Sequence, residues 1–552
     1  MAYPVAMNAM RAQLRQHREF VLVLLLAVAL RAMAVLVFRS GGYLGEMSDF
    51  SYYRLLLSMT NQDYYPLVHF WTEYPPVFPW LMVGLYRLSL LVPPWAEPGT
   101  WFYLLLSMVL VAVDACNLIV LYAIGRHLFG SNERAVRICW IYTALLVPIL
   151  TVFGWFDGLA LLFLLLAVLF TLKQRPAAAG IAAGVGFMTK LVPIAALPAA
   201  FLHLSRLSQR VKLLIAVALV VLLIAAPFLA TGPEYLLQSL KSPVIRSTWE
   251  TVWALIDGYY SYGVAGGVDR FDPQMAGGAQ HPTQLPWLAI TIAFCLFYLY
   301  LFTRRVDWRD ARRVVAFTAL TQNLLALYFK GYSPQFLIMI LPFVLLLIGG
   351  WRGIAYVLLL SAINLVEYPI YFVMLPDQHG LLAGTILART LILVILSAEY
   401  AAQVYGWRVS ERTWTRLAAG VTVLVAVLGL VGAVAGFRAY AQGRYEASSH
   451  RPAMETLKDQ AEPGTTVVVG DQTTYEQLYP FLHTRFRLAE IETFDYLPPW
   501  EPRLAETIAR SSGPVWIYAP AESPFHAWMA GRFQPLATYK FGNWRLIEWD
   551  TP

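Results

Sequence analysis

Cysteine and charge are scarce in this 552-residue chain, and each shortage argues against a class of function. The three cysteines, Cys116, Cys139 and Cys295, all lie in apolar runs and show no metal-ligand spacing, which argues against a disulfide framework or a zinc site. They read as core thiols. Charged residues make up only 14% of the chain against 58% hydrophobic, and mean hydropathy is +0.56, more than a soluble core needs. The net charge of +7 is mostly arginine lying between hydrophobic runs, which reads as a topology signal and implies no nucleic-acid partner. There is no solenoid repeat, no disordered charged tail and no signal-peptide cleavage pattern.

What the chain has is membrane-spanning apolar runs, for example Phe20 to Phe38, Trp101 to Ile124, Leu285 to Phe302 and Leu417 to Phe437. The chain is therefore expected to be a polytopic α-helical membrane protein in the bilayer of the inner or plasma membrane. Arg11, Arg15 and Arg18 precede the first run, so residues 1–19 are expected in the cytoplasm and the loop that follows outside. Further basic loops, Arg126 to Arg137, Lys173 to Arg175, Arg206 to Lys212, Arg304 to Arg313 and Arg408 to Arg416, are expected inside.

Two runs break the alternation. Val77 to Val92 follows a double proline and ends at Pro93-Pro94, which suits a short helix at the outer interface instead of a crossing. Ala177 to Leu204 has basic loops on both sides; two short helices meeting near Lys190, punctuated by Gly184, Gly186, Pro193 and Pro198, restore the parity. The count is then about thirteen transmembrane helices over residues 20–437, with a first outer loop at 39–100 and a large outer loop at 231–284. From about residue 438 the composition is that of a soluble chain. Val467-Val468-Val469, Val515 to Tyr518 and Trp544 to Ile547 read as strands alternating with helical patterns, a small extracytoplasmic α/β domain spanning 438–552.

Ionisable residues beside a membrane are functional candidates by default. The first outer loop holds Glu46 and Asp49 within Gly45-Glu46-Met47-Ser48-Asp49-Phe50-Ser51-Tyr52-Tyr53, then His69 and Trp71-Thr72-Glu73-Tyr74-Pro75-Pro76. Downstream come Gly154-Trp155-Phe156-Asp157-Gly158, the lysine at the broken run, and Lys330-Gly331-Tyr332-Ser333-Pro334-Gln335. The order of first span, acidic outer loop, Tyr-Pro-Pro before a short helix, a span ending in Gly125-Arg126-His127-Leu128-Phe129-Gly130, and a lysine at a broken helix pair resembles the GT-C glycosyltransferase superfamily. Within it the chain is similar to the polyprenyl-phosphate-mannose-dependent family 87 proteins, and in span count and exported tail to the aminoarabinose transferases and protein O-mannosyltransferases. The resemblance implies a cell-envelope enzyme with an isoprenoid-phosphate sugar as donor, a hexose such as mannose among the sugars, and Asp49 as the catalytic acid of the first outer loop. Here Glu46 and Asp49 are not adjacent, so either can be the base.

Attack of an acceptor hydroxyl on an anomeric carbon needs a base near its proton, and the departing lipid phosphate needs cations or donors. Asp49 or Glu46 suits the first role; Lys190, Lys330 and Arg54 suit the second. One displacement inverts the anomeric configuration. Asp157, Tyr332, Gln335, Glu73 and His69 are candidates for substrate binding, the acceptor being a glycan, lipid or protein.

Each has a plainer reading. Asp49 can cap a helix; Glu73 and His69 can anchor their loop, and Asp-Gly at 157–158 fits a turn. The lysines can snorkel, while Arg31 inside the first span is either snorkelling or paired with a buried acid. Trp249-Glu250, Trp253 and Asp257 to Tyr262 in the large outer loop suit a sugar platform or an interfacial belt. Paired acids hold a divalent cation as readily as a proton. A transporter or flippase of lipid-linked sugars is the alternative function, with internal repeats as its signature.

Overall fold

The computed structural model describes residues 16–38, 49–91, 99–263, 269–277, 281, 283–491 and 499–552. The chain divides into two compact units, Met1–Gly432 and Ala433–Pro552.

The first unit is helical. Six helices among the described residues are long and apolar enough to cross a membrane: Arg18–Val37, Thr100–Phe129, Leu207–Thr231, Gly350–Met374, His379–Tyr405 and Glu411–Ala447, the last running past the boundary between the units. A bent pair, Asn132–Ala144 and Leu146–Gly154, makes a seventh if taken as one span. Shorter apolar helices, Asp157–Leu172 and Trp287–Thr303 among them, lie between these. Length alone thus gives six to seven crossings; the expected total of about thirteen counts the short and broken runs as well.

Both irregular runs have the form their punctuation suggests. Val77–Ser89 is a helix of 13 residues, roughly 20 Å at 1.5 Å per residue, against about 30 Å of hydrocarbon. The run around Lys190 is broken: helix Pro176–Phe187, a turn, a 3-10 stretch Val192–Ala196 and helix Leu197–His203. Gly186 allows the turn to close. A Cβ there would meet Pro193 Cβ at 2.5 Å and Phe163 Cβ at 2.8 Å, and the Gly186 carbonyl accepts the Lys190 N–H at 2.8 Å.

Charges buried among these helices are paired. Arg31 is 1% exposed and bonds Asp114, whose other oxygen accepts from Tyr142 at 2.8 Å, so it is a buried partner of an acid and does not snorkel. Arg352 meets Glu399 at 3.0 Å, and Arg389 meets Glu367. Removing one member of such a pair leaves an uncompensated charge in a medium that solvates it poorly.

Much of the described part of the long stretch 231–284 is docked onto the helices. Trp249 pairs with Gly331 as an isolated parallel bridge, its N–H donating to the Lys330 carbonyl and its carbonyl accepting from the Tyr332 N–H, both at 3.1 Å, and the indole lies so close over Gly331 and Gly263 that neither position has room for a Cβ. Trp249 Nε1 donates to Ser333 Oγ at 3.3 Å and Trp253 Nε1 to the Leu327 carbonyl at 3.0 Å. These two indoles hold the loop in place.

The second unit is an α/β sandwich built on a five-stranded sheet in the order β2-β1-β3-β5-β4, with β1 Thr466–Val469, β2 Arg487–Glu490, β3 Val515–Pro520, β4 Gln534–Phe541 and β5 Trp544–Asp550. The first three strands are parallel, with Val467 opposite both Leu488 and Trp516, while β5 runs antiparallel to β3 and forms a hairpin with β4. The three expected strands are β1, β3 and β5. Burial is continuous along β1 and nearly so along β3, and β5 buries Leu546, Ile547 and Trp549, which makes them visible as apolar runs; β2, Arg-Leu-Ala-Glu, and the largely exposed edge strand β4 carry no such signal.

Candidate active site

The helix Phe50–Ser58 begins immediately after Asp49, whose backbone is already helical (φ −75°, ψ −2°) and whose side chain makes no capping bond. The carboxylate is therefore not engaged as a helix cap. Its Oδ2 accepts from the Tyr53 hydroxyl at 3.2 Å, one turn along the same helix, and its N–H donates to the Gly154 carbonyl at 3.2 Å. That second bond ties the start of this helix to the end of Leu146–Gly154, two residues before Phe156.

Aromatic side chains enclose the carboxylate. Tyr53 is 1% exposed, with ring centroids 5.3 Å from Phe78 and 6.3 Å from Tyr74, while Phe78 stacks on Phe156 at 3.7 Å. Burial pushes the Asp49 carboxyl up to about 7; the Tyr53 hydrogen bond and Lys190 act downward, and the charges of Asp157 and Glu73 act upward. Water-poor surroundings thus give this acid a proton affinity in the range a general base needs.

Asp157 opens the helix Asp157–Leu172 and is 1% exposed, so Asp157-Gly158 is a helix start and not a turn. Its Oδ1 accepts from Lys190 Nζ at 2.5 Å. The ammonium also lies 4.1 Å from the centroid of Phe336 and 5.3 Å from that of Phe156. The broken run therefore delivers Lys190 to the same neighbourhood as Asp49.

A third charged group adjoins these two. Glu73 accepts from Arg270 Nη2 at 2.6 Å and from the Tyr52 hydroxyl at 3.2 Å, and the Arg270 guanidinium lies 4.1 Å over the Trp71 ring. Three carboxylates, Asp49, Asp157 and Glu73, thus share the site with two cations, Lys190 and Arg270. One proton balances that set, and Asp49 is the acid whose affinity suits holding it.

The other candidates fall elsewhere. Lys330 Nζ lies 5.0 Å over the Trp287 ring and its carbonyl accepts from Trp249 and Thr251, which places it in the docking of the large loop and not beside Lys190. Arg54 lies against Gly99 at the head of Thr100–Phe129, where a Cβ on that glycine would meet Arg54 Cδ at 2.7 Å. The His69 Nδ1 accepts the Tyr65 N–H at 3.0 Å, which commits the ring to its own turn. Tyr332 is 2% exposed with its hydroxyl buried and carrying no hydrogen bond among the described residues; Gln335 is half-buried in the 3-10 stretch Pro334–Met339. Glu46 lies outside the described residues.

Among the described residues no three His, Cys, Asp or Glu side chains converge as a metal site requires.

No family model matches the chain, and no curated protein matches it. Among solved structures it is similar to ArnT from Cupriavidus metallidurans bound to undecaprenyl phosphate: 16% identity, 96% of this chain and 97% of that one covered, TM-score 0.37. It is also similar to the Archaeoglobus fulgidus oligosaccharyltransferase in complex with zinc and sulfate, at 13% identity, with 93% and 69% covered and a TM-score of 0.28.

Several site residues escaped the sequence reading. Tyr52 and Tyr53 stand inside the quoted acidic motif but carry no charge to draw notice, and Phe336 looks like any apolar neighbour of Gln335. Arg270 stands between two acids in Asp269-Arg270-Phe271-Asp272, in a long loop where spacing says nothing about what it reaches. Arg389 and Glu367, ionisable residues within apolar helices, were visible as such.

Proposed function

We propose that the protein is a GT-C-type integral-membrane glycosyltransferase that moves a sugar, a hexose such as mannose, from a polyprenyl-phosphate carrier to an acceptor on the outer face. The observation that supports this is the meeting, within one aromatic enclosure, of a carboxyl with proton affinity near neutrality, Asp49, and a lysine held by a buried acid, Lys190 with Asp157. The topology proposed with it places the amino end in the cytoplasm, the Asp49 loop and the carboxyl-terminal unit outside, and about thirteen crossings between.

In this reading the Asp49 carboxylate takes the proton of an acceptor hydroxyl, and that oxygen forms a bond to the anomeric carbon as the bond to the lipid phosphate breaks. The electron pair leaves on the phosphate oxygen, and Lys190 meets the charge that develops there. A single displacement inverts the anomeric centre. Asp157 holds Lys190 in place, while Glu73, Arg270 and Tyr52 supply polar groups at the outer side.

The test is transfer by purified protein from a mannosyl-phosphopolyprenol to lipid and glycan acceptors, comparing wild type with Asp49→Asn at equal melting temperature. Transfer lost, with binding of undecaprenyl phosphate retained, is the expected result; equal transfer by both overturns the assignment of the base.

A further inference from the structure

A second concentration of buried charge adjoins the first, and the mechanism above makes no use of it. Arg389, on the helix His379–Tyr405, is 4% exposed. Its Nη1 bonds Glu367 and its Nη2 the carbonyl of Glu250, a residue of the docked outer loop with a left-handed backbone (φ +50°). Glu250 and Glu367 are 1% and 0% exposed. Burial and the neighbouring Glu367 hold the Glu250 carboxyl well above the usual range, so one proton and one arginine leave the trio neutral.

The guanidinium fixed in this neutral trio faces an aromatic ring that leads to the site. Arg389 Cζ lies 3.8 Å over the centroid of Tyr332. Tyr332 meets Phe336 edge to face at 5.7 Å, and Phe336 carries Lys190 Nζ over its face at 4.1 Å. Lys190 then reaches Asp157 at 2.5 Å. The sequence Arg389, Tyr332, Phe336, Lys190 is thus a continuous stack in which each ring is held by a cation or by the next ring.

Resting on the reading of Lys190 as the phosphate partner, we propose that Arg389 is a positioning residue: anchored by Glu367 and Glu250, it fixes Tyr332 and Phe336 and through them the ammonium of Lys190. A lysine on a flexible stem is well aimed only if the surface beneath it is rigid, and a 1 Å misplacement far from the chemistry lowers rate by roughly a hundred-fold.

Full-length protein carrying Arg389→Lys, Phe336→Leu, or both is assayed for undecaprenyl phosphate affinity and for kcat/KM of transfer. Each single variant is expected to lower kcat/KM roughly ten- to a hundred-fold, with the double variant no worse than the weaker single one, because both interrupt one relay. Unchanged values in either single variant at wild-type melting temperature, or effects that multiply, overturn the proposal. Should Arg389→Lys fail to fold, the ring test decides alone: Phe336→Tyr restores what Phe336→Leu loses if the aromatic face is the link, and equal loss in both overturns it. Lys190→Ala serves as the control. If that variant transfers normally, the reading of the site fails; if it is inactive while the Arg389 and Phe336 variants are normal, only the relay fails.

Discussion

Lys190 and Asp157, 33 positions apart in sequence, meet as an ion pair of 2.5 Å in which the lysine side chain is 13% exposed and the aspartate 2%. Among the described residues neither charge forms another ion pair.

Lys190→Ala is expected to reduce transfer by roughly a hundred-fold or more, the loss typical of removing one donor aimed at a developing negative charge. Asp157→Asn keeps the shape but weakens the hold on the ammonium, and a loss of similar size is expected. Measured as kcat/KM, the double variant should be little worse than either single one, since both remove one interaction.

The pH dependence follows from Asp49. With its carboxyl at about 7, the base form gains population as pH rises, so kcat/KM is expected to climb through about pH 7 and level off above it. Stability moves the other way. The folded value of about 7 lies above the unfolded 3.8, so the folded state holds the extra proton between them, and this contribution is full below 3.8 and lost as pH rises to 7. Asp49→Asn removes that loss. At pH 8 the variant should be inactive yet melt no lower than wild type, a combination that a merely structural aspartate would not give.

The sequence made some of this legible for identifiable reasons. Asp49, Asp157 and Lys190 stand out because charge beside apolar runs is costly, and Pro, Gly and basic loops gave away the short helix Val77–Ser89 and the break before Val192. Which lysine joined which acid was not legible. Lys330 and Lys190 look alike as sequence, yet one rests on Trp287 and the other on Phe336, a difference set by tertiary packing. The strands β2 and β4 were hidden because their side chains are mostly part-exposed or exposed and lack an apolar run.

Arg31 and Asp114 give a prediction about stability alone. Both are nearly fully buried, and Tyr142 completes the group. Arg31→Ala strands the aspartate and should cost about 3–5 kcal/mol in denaturant unfolding, with activity per folded molecule retained. Arg31→Met with Asp114→Leu removes both charges and should recover most of that loss.

Gly186 decides whether the lysine arrives. It lies at the end of the helix Pro176–Phe187, four residues before Lys190, and its carbonyl holds the Lys190 N–H at 2.8 Å. A methyl group here would fall 2.5 Å from Pro193 Cβ and 2.8 Å from Phe163 Cβ, neither of them the mobile end of a side chain, so the turn itself must shift. Gly186→Ala is accordingly expected to impair transfer far more than it lowers the melting temperature, because a displacement of about 1 Å matters to catalysis more than to packing. Gly84→Ala, on the short helix Val77–Ser89 with open space where its Cβ would stand, is the matched control and should leave transfer within about two-fold of wild type. Equal effects from the two substitutions would mean that the close turn does not set the position of Lys190.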